Sequence, residues 1–254
     1  MCLILLAWHA HPDYPLVVAA NRDEFLARRT AAADFWQDAP EVLAGRDLEA
    51  GGTWLGMTRG GRFAALTNYR DPARIKPGAP SRGELVSRFL RGRQTPGEYF
   101  AELELIAARY NGFNLLFGDT ESMWCFSNCG EGARRLEPGV YGLSNHLLDT
   151  PWPKVARGKS ALAIALQALP DEAPLFALLQ DDRVAPDQDL PRTGVSLEWE
   201  RLLSAAFIRS PTYGTRSATV LLRDRHGAVR FVEQTFPKNA EAGDRRTFDF
   251  ETTR

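Results

Sequence analysis

The chain has 254 residues, 44% of them hydrophobic and 25% charged, with 31 Lys and Arg against 32 Asp and Glu. That balance suits one soluble globular domain, residues 1–254, with a sizeable core. The scattered arginines form no basic stripe, which speaks against a nucleic-acid binder, and no apolar run approaches membrane-spanning length, which speaks against an integral membrane segment.

Residues 2–8 (CLILLAW) are a short apolar run that reads as a buried strand. HPDYP at 11–15 is turn chemistry, and 16–20 is a second apolar run, so a hairpin is predicted. Asn21, Arg22, Asp23 and Glu24 stand at the far end of its second strand, and antiparallel pairing returns them to Cys2. The Ala-, Gly- and Pro-rich residues that follow read as irregular up to 50–56 (AGGTWLG), which turns into a strand partnered by 62–68 (RFAALTN).

Residues 81–91 read as a helix opened by a Ser81/Glu84 capping box. Thr95 and Pro96 open a longer helix running to Tyr110. Residues 113–118, 122–127 and 139–144 read as strands, and 153–169, 174–180 and 197–206 as helices. A hairpin spans 215–223 and 228–236, and 248–251 adds an edge strand; 181–192 is a surface loop. Strands, helices, strands, helices, strands is the order of an α+β fold with largely antiparallel sheets and helices outside. No G-x-G-x-x-G follows a strand, so the pattern is not a Rossmann domain.

Cys2, Cys125 and Cys129 are odd in number, which argues against a disulfide framework. Cys125-x-x-x-Cys129 lacks histidine partners at zinc spacing, the nearest being His9-x-His11, so no metal site is expected. The opening residues lack a positive segment and a long enough apolar run for a signal peptide, so the expected location is cytoplasmic.

Cys2 is the sharpest chemical feature. Removal of Met1 would leave a thiol and an α-amino group on one residue, and an amine titrating near neutrality can serve as base for its own thiol. A nearby cation, Arg22, would favour the thiolate, and Asp23 would hold the amine. The plainer reading of Cys2 is a small buried hydrophobe, and that of residues 21–24 a solvated turn.

The sequence resembles the NRDE family, also called the transport-and-Golgi-organisation family, through MCLILLAW, AANRDEF, GRDLEAGGTWLG (45–56), LTNYRDP (66–72), YGLSNHLLDTPWPK (141–154) and YGTRSATVLL (213–222). More remotely it resembles N-terminal-nucleophile hydrolases of the choloylglycine and penicillin V acylase type. That resemblance implies an αββα sandwich of two mainly antiparallel sheets flanked by helices. It implies a catalytic set of Cys2 as nucleophile, Arg22 and Asp23 as its neighbours, Asn145 in the oxyanion hole and Arg216 as the late arginine. Those hydrolases usually read Arg-Asn-x-Asp where this chain reads Asn-Arg-Asp.

Asn21, Asn68, Trp54 and His146 complete the expected substrate-binding set, with Asn68 as a second oxyanion contributor. Asn145 also suits a turn at a strand end, and Arg216 an ion pair with Asp23 or Glu24. The expected activity is that of an N-terminal cysteine amidohydrolase or acyltransferase on a small amide, ester or thioester, with no cofactor required. The alternative is a non-catalytic protein of the same fold that binds and moves haem, a lipid or an acyl-CoA, since the family resemblance implies such ligands.

Overall fold

The computed structural model describes residues 2–237 and 241–253. The first hairpin forms as expected from β1 (Cys2–Trp8) and β2 (Leu16–Phe25). Two strands then occupy the stretch expected to be irregular, β3 (Thr30–Trp36) and β4 (Ala39–Asp47). They are followed by β5 (Leu55–Thr58) and β6 (Phe63–Asn68).

Helices α1 (Gly83–Arg91) and α2 (Pro96–Ile106) come next. The second opens with the anticipated cap, in which Thr95 and Glu98 bond each other's backbone reciprocally. The first does not. Its N-cap is Arg82, with no side-chain cap, and the Glu84 carboxylate instead accepts from the Tyr110 hydroxyl. That tyrosine is buried at the end of the α2 region, so tertiary pairing outcompeted the local box.

Four strands follow: β7 (Phe113–Gly118), β8 (Met123–Ser127), β9 (Gly132–Arg135) and β10 (Gly139–Leu143). Helices α3 (Pro153–Ala165), α4 (Ala173–Leu179) and the short α5 (Leu197–Leu202) precede the closing strands. These are β11 (Tyr213–Arg223), β12 (Ala228–Thr235) and β13 (Arg245–Glu251).

The strands make two sheets, ordered β10-β1-β2-β11-β12-β13 and β3-β4-β5-β6-β7-β8-β9. Each pairing is antiparallel. Side chains alternate between sheet faces, and in β1 and β2 both faces are buried. Ile4, Leu6, Val18 and Ala20 meet Leu43, Met57 and Phe63 of the other sheet. Leu3, Leu5, Val17 and Ala19 pack beneath Leu162, Leu175 and Leu179 of α3 and α4. Leu85 and Phe89 of α1 and Tyr99 of α2 cover the far side of the second sheet, packing on Phe117 of β7. The result is the expected helix–sheet–sheet–helix sandwich, and the unbroken apolar run of β1 follows from its being covered twice.

Helix α3 lies close on the first sheet because glycines make room. A Cβ on Gly158 would stand 2.9 Å from the Leu5 methyls, and one on Gly142 of β10 would stand 2.7 Å from Val155. Leu5 and Gly142 are paired across the sheet, so one spot seats the helix. Gly158→Val should overpack this contact and lower stability by about 1–3 kcal/mol, read as the denaturant midpoint at unchanged slope. A midpoint equal to that of wild type would show that the seat has slack.

Candidate functional site

The site grows from one register. β1 pairs with β2 so that Cys2 stands opposite Arg22. By the alternation of strands, Cys2 and Arg22 share the face that looks onto the second sheet, while Asn21 and Asp23 share the helix-covered face. On the other side of β2, β11 sets Thr215 opposite Asp23 and Ser217 opposite Arg22, with Arg216 bulged out between them.

Each charged group is held. The Arg22 guanidinium donates to Thr30 Oγ1 at 3.1 Å and lies 4.3 Å over the Trp54 ring. Trp54 is fixed by Gly45, whose absent Cβ would fall 2.2 Å from the indole. The Thr215 hydroxyl donates to Asp23 Oδ1 at 2.7 Å. Ser144, just past β10, donates to the Cys2 carbonyl at 3.0 Å and so ties down the backbone of the candidate nucleophile.

Cys2 is half-buried. Burial pushes its thiol above the ordinary range and the Asp23 charge adds to that, while the Asp23 backbone N–H and the Arg22 guanidinium pull the other way. Burial also raises the Asp23 carboxyl, against Lys154, Thr215 and Arg22.

A cavity of about 350 Å³ opens beside these groups. Cys2, Arg22, Asp23, Trp54 and Asn68 line it, together with Arg82. Five of the nine residues expected from the sequence therefore meet at one place. Asn145 stands behind them, fully buried; its Nδ2 donates to the Asn68 carbonyl at 2.9 Å and its Oδ1 accepts from Ser144 at 3.2 Å.

The other three are placed elsewhere. Asn21 turns to the helix side and donates to the carbonyls of Leu179 and Ala206, at 2.7 and 2.8 Å. Arg216 donates to the carbonyls of Phe25 and Arg28, at 2.9 and 3.0 Å, and so clamps the β2–β3 turn rather than a carboxylate. His146 lines a separate hollow between the rings of Tyr69 and Trp152.

The sequence reading passed over Arg82, Arg70 and Lys154. Arg82 reaches the cavity from the turn before α1, donating to the Gly112 carbonyl at 3.0 Å. Arg70 makes a buried ion pair with Glu200 at 2.7 Å. Lys154 sits in the first turn of α3, 2% exposed, and its Nζ has no hydrogen-bond partner among the described residues. Its signal was present in the sequence: positions 154, 155, 158, 162 and 165 make the buried stripe of α3, and a lysine occupies an inward position of it. Among the described residues no group of three or more His, Cys, Asp or Glu is arranged to hold a metal, and no helix is long and apolar enough to cross a membrane.

The chain belongs to the Transport and Golgi organisation 2 family, whose profile matches residues 1–238. The Bos taurus transport and Golgi organization protein 2 homolog is 40% identical over 259 residues, covering 92% of this chain and 93% of that protein. The Mus musculus homolog is 37% identical over 273 residues, covering 98% of this chain and 99% of its own length. Among solved structures, a Caenorhabditis elegans ortholog of N-acylethanolamine-hydrolyzing acid amidase superposes with a TM-score of 0.50 at 12% identity, over 70% of this chain and 86% of that one. The shared feature is the fold, an N-terminal-nucleophile-hydrolase-like sandwich.

Arg22→Leu keeps apolar cover on Trp54 but removes the cation. The Cys2 thiol should then titrate about half a unit higher and alkylate about threefold more slowly at neutral pH. The pH profile of iodoacetamide labelling of the Cys2 peptide measures this, and an unmoved midpoint would separate Arg22 from the thiol.

Proposed function

We propose that this chain is an N-terminal cysteine amidohydrolase or acyltransferase acting on a small amide, ester or thioester. The observation that carries the reading is the register that faces Cys2 with Arg22 and sets the Asp23 N–H at the thiol, beside a cavity of small-molecule size.

In this reading Met1 is removed, and the α-amine of Cys2 takes the proton of its own thiol. The sulfur attacks the carbonyl carbon, a C–S bond forms, and negative charge gathers on the carbonyl oxygen. The Asn68 amide, on the cavity wall with its backbone held by Asn145, is the side-chain donor offered for that oxygen. The C–N, C–O or C–S bond of the substrate then breaks, and the leaving group departs with the proton held by the amine. Water, deprotonated by the same amine, cleaves the thioester and releases the acid, restoring the thiol. In an acyltransferase an amine or alcohol replaces the water.

A second cavity, about 360 Å³, shares Glu24, Asn68, Arg82 and Asn111 with the first and adds Phe25, Ile75, Trp199 and Tyr213. It suits an apolar acyl arm, as in the N-acylethanolamines named for the amidase of the same fold. A second reading, a protein that binds haem, a lipid or an acyl-CoA without turning it over, is favoured by the burial that keeps the Cys2 thiol protonated while Met1 is attached.

Intact mass before and after a thiol probe, with Cys2→Ala as control, tests the choice. The proposal expects a chain lacking Met1 and fast labelling that depends on Cys2. Cys125 should stay inert, because burial pushes its thiol up to about 12. Retained Met1, or a Cys2 no more reactive than Cys129, would sink the enzyme reading and leave the binding one.

A further inference from the structure

The buried lysine of α3 has no part in the mechanism just given, yet the fold aims it at the same place. Gly158 seats α3 on Leu5 of β1. One helical turn earlier stands Lys154, at the Cys2 end of that strand. Its charged neighbours there are the Asp23 carboxylate, the Arg70 guanidinium and the Cys2 thiol. These come from three directions: β2, the loop after β6, and β1. Among the described residues, Arg22, Arg82 and Tyr213 are the other titratable groups that face Cys2 itself.

A lysine 2% exposed and without a hydrogen-bond partner among the described residues is costly to keep charged. Val155, Gly158 and Leu162 seat the helix with apolar or absent side chains, so the charge at 154 is an inward feature of α3 that apolar packing does not call for. Asp23 follows Arg22, which pairs with Cys2, so its backbone lies level with the start of β1. An amine freed on Cys2 would therefore emerge beside Asp23, where a carboxylate alone would hold it as ammonium, a form that cannot act as a base.

Resting on the enzyme reading above, we infer that Lys154 is the positioning cation of this site: it balances the Asp23 carboxylate, so that the α-amine of Cys2 stays neutral and able to take the thiol proton, and the thiolate that results is favoured. Burial lowers Lys154 to about 8, with the Asp23 charge opposing the fall, so at neutral pH it remains mostly the ammonium this role needs. Its charge acts on both groups of Cys2 in one direction. A neighbouring cation lowers the titration point of an amine and of a thiol alike, and its removal raises both.

The test uses the purified full chain and two probes. 2-Cyanobenzothiazole condenses only with a terminal cysteine whose amine and thiol are both free, so its adduct, read by intact mass, reports on the enzyme reading independently of Lys154. Iodoacetamide labelling of the Cys2 peptide across pH then reports on the inference. Lys154→Met removes the charge at similar volume, and Lys154→Gln is a second neutral variant in case the first does not fold. Lys154→Arg keeps the charge.

Where the adduct forms, both neutral variants should shift the alkylation midpoint upward by about half a pH unit, and Lys154→Arg should restore it. A lysine that merely fills space would change the plateau rate and leave the midpoint alone. An unmoved midpoint with the adduct intact overturns the role of Lys154 and spares the enzyme reading. Absence of the adduct in wild type overturns that reading, and the inference with it.

Discussion

The pairing of Cys2 with Arg22 is the constraint on which the rest of the structure depends. β1 runs between β10 and β2, inside a sheet whose two faces are both covered. A slip of one residue would exchange Ile4, Leu6 and Trp8 with Leu3, Leu5 and Ala7 between faces and would turn Cys2 toward the helices. The two faces are filled by different partners, the second sheet and α3 with α4, so the register is held from both sides. β11 extends the same control to Asp23 through Thr215, and its bulge frees Arg216 to tie down the following turn. The strand pairing that builds the core thus delivers a thiol, a guanidinium and a carboxylate to one end of the sheet.

That end is also where the molecule buries charge. Arg22, Asp23, Arg70, Lys154 and Glu200 are each under a tenth exposed. Arg70 keeps Nε and Nη2 without hydrogen-bond partners among the described residues despite its pair with Glu200. A core built for stability alone would replace such groups with apolar ones, since paired buried charges seldom outdo well-packed hydrophobic side chains. Arg223 and Glu233 are buried elsewhere on the first sheet, but here five charged groups gather around one cavity and its wall.

Much of this was legible in the sequence because the signals were local. The apolar runs at 2–8 and 16–20 with HPDYP between them specify a hairpin, and the hairpin alone returns residues 21–24 to Cys2. Thr95-Pro96 gave its cap, and the 224–227 turn its hairpin. β3 and β4 were missed because Ala-rich strands holding Pro40, Gly45 and several charges carry no clean alternation; their pairing is broken by irregularities and settled by the second sheet. The Ser81 box lost Glu84 to Tyr110, a partner 26 residues away. Asn21 was expected in the site for its place in the Asn21–Glu24 run and Arg216 from the resemblance alone, but alternation turns the first to the helices and a bulge sends the second to backbone carbonyls. The inward lysine of α3 was legible as an oddity, but its nearness to Cys2 was not, because that depends on the tertiary seating of α3 on β1 and β10.

Trapping the acylated enzyme tests the central claim most directly. The purified chain is mixed with an activated acyl ester, quenched in acid and digested, and the peptides are weighed. The account predicts a transient acyl mass on the peptide beginning at Cys2, released by neutral hydroxylamine as a thioester is. An acyl mass found only on Cys129 or on surface lysines, or on no peptide at all, would contradict it.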